Sequence, residues 1–177
     1  MNPNPIKSHH TAKVSAHSHF KRLGRELAMQ YLYLCDMAEG KDEPDAREMF
    51  WDQAADAELT DDERTFKKAR AYAEKIVNGV FAKLTEIDGA ISSFSEKWDL
   101  SRIAAVERNI IRVAVYELNY CPDIPALVSI DEAIEIAKAF ASEKSGVFIN
   151  GILNGVKDSL PAGAKNPPGQ KTNGEND

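Results

Sequence analysis

Arg22, Arg25, Met29 and Tyr33 recur at a spacing that puts them on one stripe of the first strongly periodic segment. At 100° per residue the four lie within about 80° of one another. Guanidinium groups beside an aromatic ring suit nucleic acid, because phosphates take the charge and bases stack on both planes. The opposite side of the segment carries Leu23, Leu27, Tyr31 and Leu34, which must face a core. The basic stripe is therefore expected to face outward. Its arginines fall in the first turns of the helix, where the dipole is already positive and each cation costs about 0.3–1 kcal/mol. A chain with a net charge of −6 that accepts this cost is a candidate for anion binding.

The elements that must position this stripe are helical. The chain has 177 residues, room for one ordinary domain, and 43% of them are hydrophobic, enough for a core. Met1 to His19 lacks periodicity and reads as a disordered arm, without the apolar stretch of a signal peptide. Pro161 to Asp177, with Pro167, Pro168, Gly169 and Gly174, reads as a disordered tail. Between them the spacing predicts six or seven helices. The first spans about Phe20 to Met37 and is closed by Gly40. An acidic one follows from Pro44. Thr60 with Glu63 forms a capping box for a third that starts at Asp61 and continues through Phe66, Ala69, Ala73, Ile76, Val80 and Leu84. Ser101, Ser129 and Ser142 or Ser145 read as caps of later helices. No segment alternates long enough for a strand, so the class is all-α.

Ile103 to Tyr120 is apolar on most sides, the mark of a helix at the centre of a bundle. Glu107 and Glu117 project from its apolar faces and need partners there, since an unpaired buried charge is costly. Glu132 and Glu135 read as a solvated pair one turn apart. Phe148 sits at the margin of the last helix's apolar face. Gly151 and Gly155 let that helix approach a neighbour closely.

Several classes are excluded. There is no apolar run of 18 residues and hence no membrane span. Motifs for nucleotide hydrolysis, zinc proteases or serine hydrolases are absent, so no catalytic residue is expected. All four histidines, His9, His10, His17 and His19, fall in the arm, and neither a metal site nor a cofactor is expected. Cys35 and Cys121 read as reduced thiols of a cytoplasmic protein. From Asp36 to Glu63 there are 12 acids and two bases, a net of −10, which leaves the remainder about +4. That distribution argues against coating of duplex DNA and permits a local basic site.

One long pattern goes further. Arg102, Glu107-Arg108, Ile111-Arg112, Tyr116-Glu117-Leu118, Asp131-Glu132-Ala133 and Phe148-x-Asn150-Gly151 occur in order. Upstream lies Arg22-x-x-Arg25-Glu26-x-Ala28-x-Gln30-x-Leu32-Tyr33. Over roughly residues 20 to 158 the chain resembles the NusB family of bacterial transcription antitermination factors. The resemblance implies an all-helical fold of two packed subdomains, 20–95 and 96–160, and a non-enzymatic role. It implies pairing with NusE, a small-subunit ribosomal protein, and binding of single-stranded boxA RNA, so that the RNA polymerase elongation complex passes terminators. By the same resemblance Lys21, Arg22, Arg25 and Gln30 would meet RNA, and Tyr33, Glu107 and Phe148 would meet the protein partner. Two departures stand out. Leu23 and Gly24 interrupt the basic cluster, and Lys144 stands where some relatives carry an acid. A helical protein-interaction module without direct RNA binding is the alternative reading.

Overall fold

Seven α-helices and one short 3-10 turn make up the described residues, with no strand among them. The structure is a computed structural model and describes residues 16–95 and 99–165, with side chains from Phe20 onward. The helices are α1 (Ala16–Met37), α2 (Pro44–Asp56), α3 (Glu63–Ala82), α4 (Leu84–Phe94), α5 (Ala105–Tyr120), α6 (Ala126–Phe140) and α7 (Glu143–Asp158), with the 3-10 turn at Leu100–Arg102. Among the described residues no helix is long and apolar enough to cross a membrane.

As its composition predicts, α5 is the central shaft. It packs against α1, α3, α4, α6 and α7, and every residue from Asn109 to Leu118 is buried. α1 lies along α3 and α5, with Leu27, Ala28, Tyr31 and Leu32 in the core. α6 and α7 pair with each other and close the far side. The acidic α2 is held by few contacts, chiefly Phe50 and Trp51 stacked around Tyr31.

The helix boundaries follow local chemistry, with some corrections. Pro44 opens α2, where its missing N–H is no loss. Ser142 caps α7, its Oγ accepting from the Ser145 N–H at 3.1 Å. Asp62, rather than the Thr60–Glu63 box, caps α3, accepting from the Arg64 and Thr65 N–H groups. Ser101 lies in the 3-10 turn, and Ser129 lies inside α6, where its hydroxyl turns inward. α1 starts at Ala16, so the last residues of the expected arm are helical; residues 1–15 of that arm lie outside the described residues. At the other end, residues 161–165 form a turn whose Lys165 ammonium caps α5, donating to the carbonyls of Glu117, Cys121 (2.6 Å) and Ile124 (3.0 Å). The rest of the expected tail lies outside the described residues.

The two glycines of α7 differ. A Cβ at Gly155 would sit 2.5 Å from Cδ1 and 2.8 Å from Cγ of Phe94, so here the helix approaches α4 closely; a Cβ at Gly151 meets open space. Gly151→Ala should therefore stabilise the protein by about 0.5–1 kcal/mol through helix propensity. Gly155→Ala should lower stability by about 1–2 kcal/mol, since overpacking outweighs that gain. Thermal melts followed by circular dichroism decide this; shifts of the same sign would contradict it.

Candidate nucleic-acid interface

The stripe of Arg22, Arg25 and Met29 faces inward, contrary to the sequence expectation. α1 packs on α3 and α5, and Glu132 of α6 reaches its arginines, so Arg25 and Met29 are buried while Arg22 stays at the rim. Gly24 makes the close approach to α3 possible: a Cβ there would come within 2.9 Å of the Ala69 carbonyl oxygen and of the Tyr72 ring. Arg25 is only 4% exposed. Its Nε donates to Glu117 Oε1 at 2.8 Å and its Nη1 to Glu132 Oε2 at 3.2 Å. Arg22, at the rim with 21% of its side chain exposed, grips Glu132 through Nε (2.9 Å) and Nη2 (2.6 Å). Glu132 is accordingly an interior ion-pair partner and not one of a solvated pair; only Glu135 is exposed, on Lys138 at 2.7 Å. Gln30 is also buried, with its Nε2 donating to the Glu26 carbonyl at 3.2 Å. Arg25 and Gln30 are closed to a ligand in this fold.

Glu117 is the hub of this network. It is fully buried and accepts hydrogen bonds from Arg25 of α1, from the Tyr72 hydroxyl of α3 and from Ser129 Oγ of α6 at 2.7 Å. Burial works against the Arg25 charge, but the neighbouring Glu117 carboxylate outweighs it and holds the guanidinium above its ordinary pKa. Burial and then the Glu117 charge push the Tyr72 phenol well up, so it stays protonated as a donor. The Nη2 of Arg25 has no acceptor among the described residues, and Arg25 is one of the residues that line a small cavity, with Met29, Glu117 and Ser129 among the others.

What α1 does present is its start. Lys21 Nζ lies 5.7 Å from the centre of the Tyr72 ring. Phe20 meets the same ring edge to face, with centroids 6.4 Å apart and planes at 83°. Lys68 Nζ lies 6.0 Å from the centre of the Phe20 ring. Lys68, Phe20, Tyr72 and Lys21 thus form one continuous cation–aromatic ladder across α1 and α3, each member at least partly exposed. Lys75, exposed and one turn beyond Tyr72, extends it. Sequence reasoning found Lys21 and missed Tyr72 and Lys68. The signal was present: Lys68, Tyr72 and Lys75 stand at i, i+4 and i+7, within about 60° on one helix face.

The three residues expected to meet a protein partner lie toward the end of the bundle where α5 begins. Glu107 is half-buried in the first turn of α5 and accepts from Ser145 Oγ of α7 at 2.5 Å. Phe148, one turn along α7, packs against the core with its rim open, beside Val147, which is 76% exposed. Tyr33 is half-buried on α1, one turn before Asp36. Asp36 in turn accepts from Arg108 (2.9 Å), Asn109 (2.8 Å) and Arg112 (3.1 Å) of α5. Arg112 completes a second buried network by donating to Asp88 of α4 at 2.8 and 2.9 Å.

Comparison with known proteins agrees with this architecture. Residues 22–158 match the model of the NusB family. The chain is 42% identical over 141 residues to the transcription antitermination protein NusB of Geobacter sulfurreducens, covering 80% of this chain and 96% of that one. Among solved structures, T. maritima NusB is 34% identical with a TM-score of 0.61, covering 78% of this chain and 91% of that one. A crystal structure of the antitermination factors NusB and NusE in complex with dsRNA shares the fold, with a TM-score of 0.65 at 24% identity over 80% of this chain and 98% of that chain.

One member of the network is strained by its charge. Burial raises the Glu26 carboxyl from the ordinary 4.5 to about 7, with Arg22 opposing the rise and Glu132 adding to it. Its folded pKa exceeds its unfolded one, so its contribution to stability is full below pH 4.5 and is lost as pH rises through about 7. Glu26→Gln should remove that component, stabilising the protein by roughly 1–3 kcal/mol above pH 7.5 and leaving it nearly unchanged at pH 4.5. Urea unfolding across this pH range measures it; an equal effect at both ends would refute it.

Proposed function

The chain belongs to the NusB family, and from that premise we propose that it is an RNA-binding antitermination factor. It acts in the cytoplasm with NusE on single-stranded boxA elements of nascent RNA and helps the polymerase elongation complex pass terminators. The observation that carries this reading is the Lys68–Phe20–Tyr72–Lys21 ladder. Unpaired nucleotides offer both a phosphate for each ammonium and a base face for each ring, which a folded duplex does not. Contacts to RNA come from Lys21, Phe20, Lys68, Tyr72 and Lys75. Arg25 behind them is buried and does not touch the ligand, while Arg22 stands partly exposed at the rim, held by Glu132.

The partner surface lies at the opposite end of α5, formed by Glu107, Phe148 and Tyr33 with exposed Val147. A carboxylate at a half-buried edge beside an apolar rim suits a protein interface better than a nucleic acid. Separation of the two surfaces lets RNA and NusE bind together, so that each raises the effective concentration of the other.

Two measurements test the reading. With about three phosphate contacts, the affinity for boxA RNA should fall with salt on a log–log slope near −2, using ~0.7 per phosphate. Lys21→Ala with Lys68→Ala should make that slope shallower by about 1.4 and leave the melting temperature in place. An unchanged slope would remove the ladder from the site. Val147→Asp, at an exposed position, should weaken NusE capture by about tenfold or more, by placing a charge in the apolar rim, without altering RNA binding by the free protein. Capture equal to that of the unaltered chain would move the partner surface elsewhere.

A further inference from the structure

Tyr72 is the only member of the ladder whose polar end is anchored in the interior. Its ring reaches the surface beside Lys21, while its hydroxyl donates to Glu117, which is 0% exposed. Glu117 makes no contact with solvent, and its two other donors, Arg25 and Ser129, come from helices on either side of α5. The carboxylate thus pins the ring from behind, while Gly24 leaves room for it in front.

We propose that Glu117 is a positioning residue for RNA: it fixes where the Tyr72 ring stands at the surface and ties that position to α1 and α6. The inference rests on the RNA reading given above and adds residues that no ligand reaches. A side chain held by its hydroxyl cannot swing about Cα–Cβ, so little of that freedom is lost when a base stacks on the ring, which is the advantage of a preorganised contact. The anchor adds to packing on the inner side, where the Arg25 guanidinium carbon lies 5.7 Å from the ring centre and Gly24 lets α1 close on the ring. Phe20 meets Tyr72 only at an edge, and the Lys21 ammonium can swing away on its four-carbon stem. Ser129 extends the effect one step further. It lies inside α6, bonds to Glu117 at 2.7 Å and is itself buried, so it influences RNA only through the carboxylate.

The test uses the full chain and boxA RNA, with a scrambled RNA as control. Tyr72→Phe keeps the ring and removes the anchor. It should weaken boxA binding by about threefold to tenfold, the worth of one hydrogen bond, with the salt slope unchanged because no phosphate contact is lost. Glu117→Gln, which also loosens the hold on Arg25 and Ser129, should weaken binding at least as much, and adding Tyr72→Phe to it should cost less than Tyr72→Phe does alone, because the two share a bond. Ser129→Ala, which leaves Glu117 and Tyr72 in place, should give a smaller loss of about twofold and keeps the test alive if Glu117→Gln does not fold. Wild-type affinity in Tyr72→Phe, or multiplying losses in the double variant, would overturn the proposal and leave the RNA reading intact. No difference between boxA and scrambled RNA for the unaltered chain would overturn both.

Discussion

The fold depends on neutralising charge inside a helical core. α5 carries Glu117 at 0% exposure and Arg112 at 8%, and α1 sends Arg25 to meet the former. Removing one partner of such a pair leaves an uncompensated buried charge, at a cost of about 3–5 kcal/mol. Every neighbour of α5 accordingly contributes a polar group. α1 supplies Arg25 and Asp36, α3 supplies Tyr72, α4 supplies Asp88 and α6 supplies Ser129. Each bond is satisfied in only one register of two helices. An apolar core of the same volume would tolerate several registers, so the ionic groups fix which faces meet.

That fixing is what gives the surface its chemistry. Glu107 and Glu117 stand ten residues apart on one rigid helix, roughly 15 Å along its axis. Near the first lies the rim of Val147 and Phe148; near the second lies the back of the cation–aromatic ladder. Neither surface belongs to one element. The ladder takes Phe20 and Lys21 from α1 and Lys68 and Tyr72 from α3, and these helices are held together by the groups that bind Glu117. The proposed partner rim takes Glu107 from α5 and Phe148 from α7, joined through Ser145. A shift of one helix turn in any of these would separate the groups that make up each proposed surface.

Much of this was legible in the chain. Apolar periodicity gave the helices, and apolarity on most sides of Ile103 to Tyr120 gave the central one. Pro44, Ser142 and Gly155 act where their side chains, or the lack of one, require. The orientation of the arginines was not legible. Periodicity identifies the apolar stripe of a helix but cannot tell a polar stripe in water from one covered by a distant segment. Arg22 and Arg25 meet carboxylates 92 to 110 residues away, and no local pattern carries that information. Glu132 was misread for the same reason. Tyr72 and Lys68 were legible in spacing, but the neighbouring Phe66, Ala69 and Ala73 drew the reading of α3 toward its core face.

The apparent conflict between an acidic chain and an anionic ligand resolves through this division of cations. The buried arginines are consumed by Glu117, Glu132, Asp36 and Asp88 and contribute little field outside. Arginine suits that interior duty, because a planar fork can satisfy two carboxylates at once and keeps its proton under burial. Lys21 and Lys68 remain at the surface on long stems, each a point charge over a ring. An ammonium binds any phosphate with little regard for sequence. On the proposed reading, discrimination among RNAs comes from the rings and from contacts along base edges, groups that act only when their position is held. A sequence-selective surface on such a chain therefore needs a rigid interior more than it needs additional positive charge.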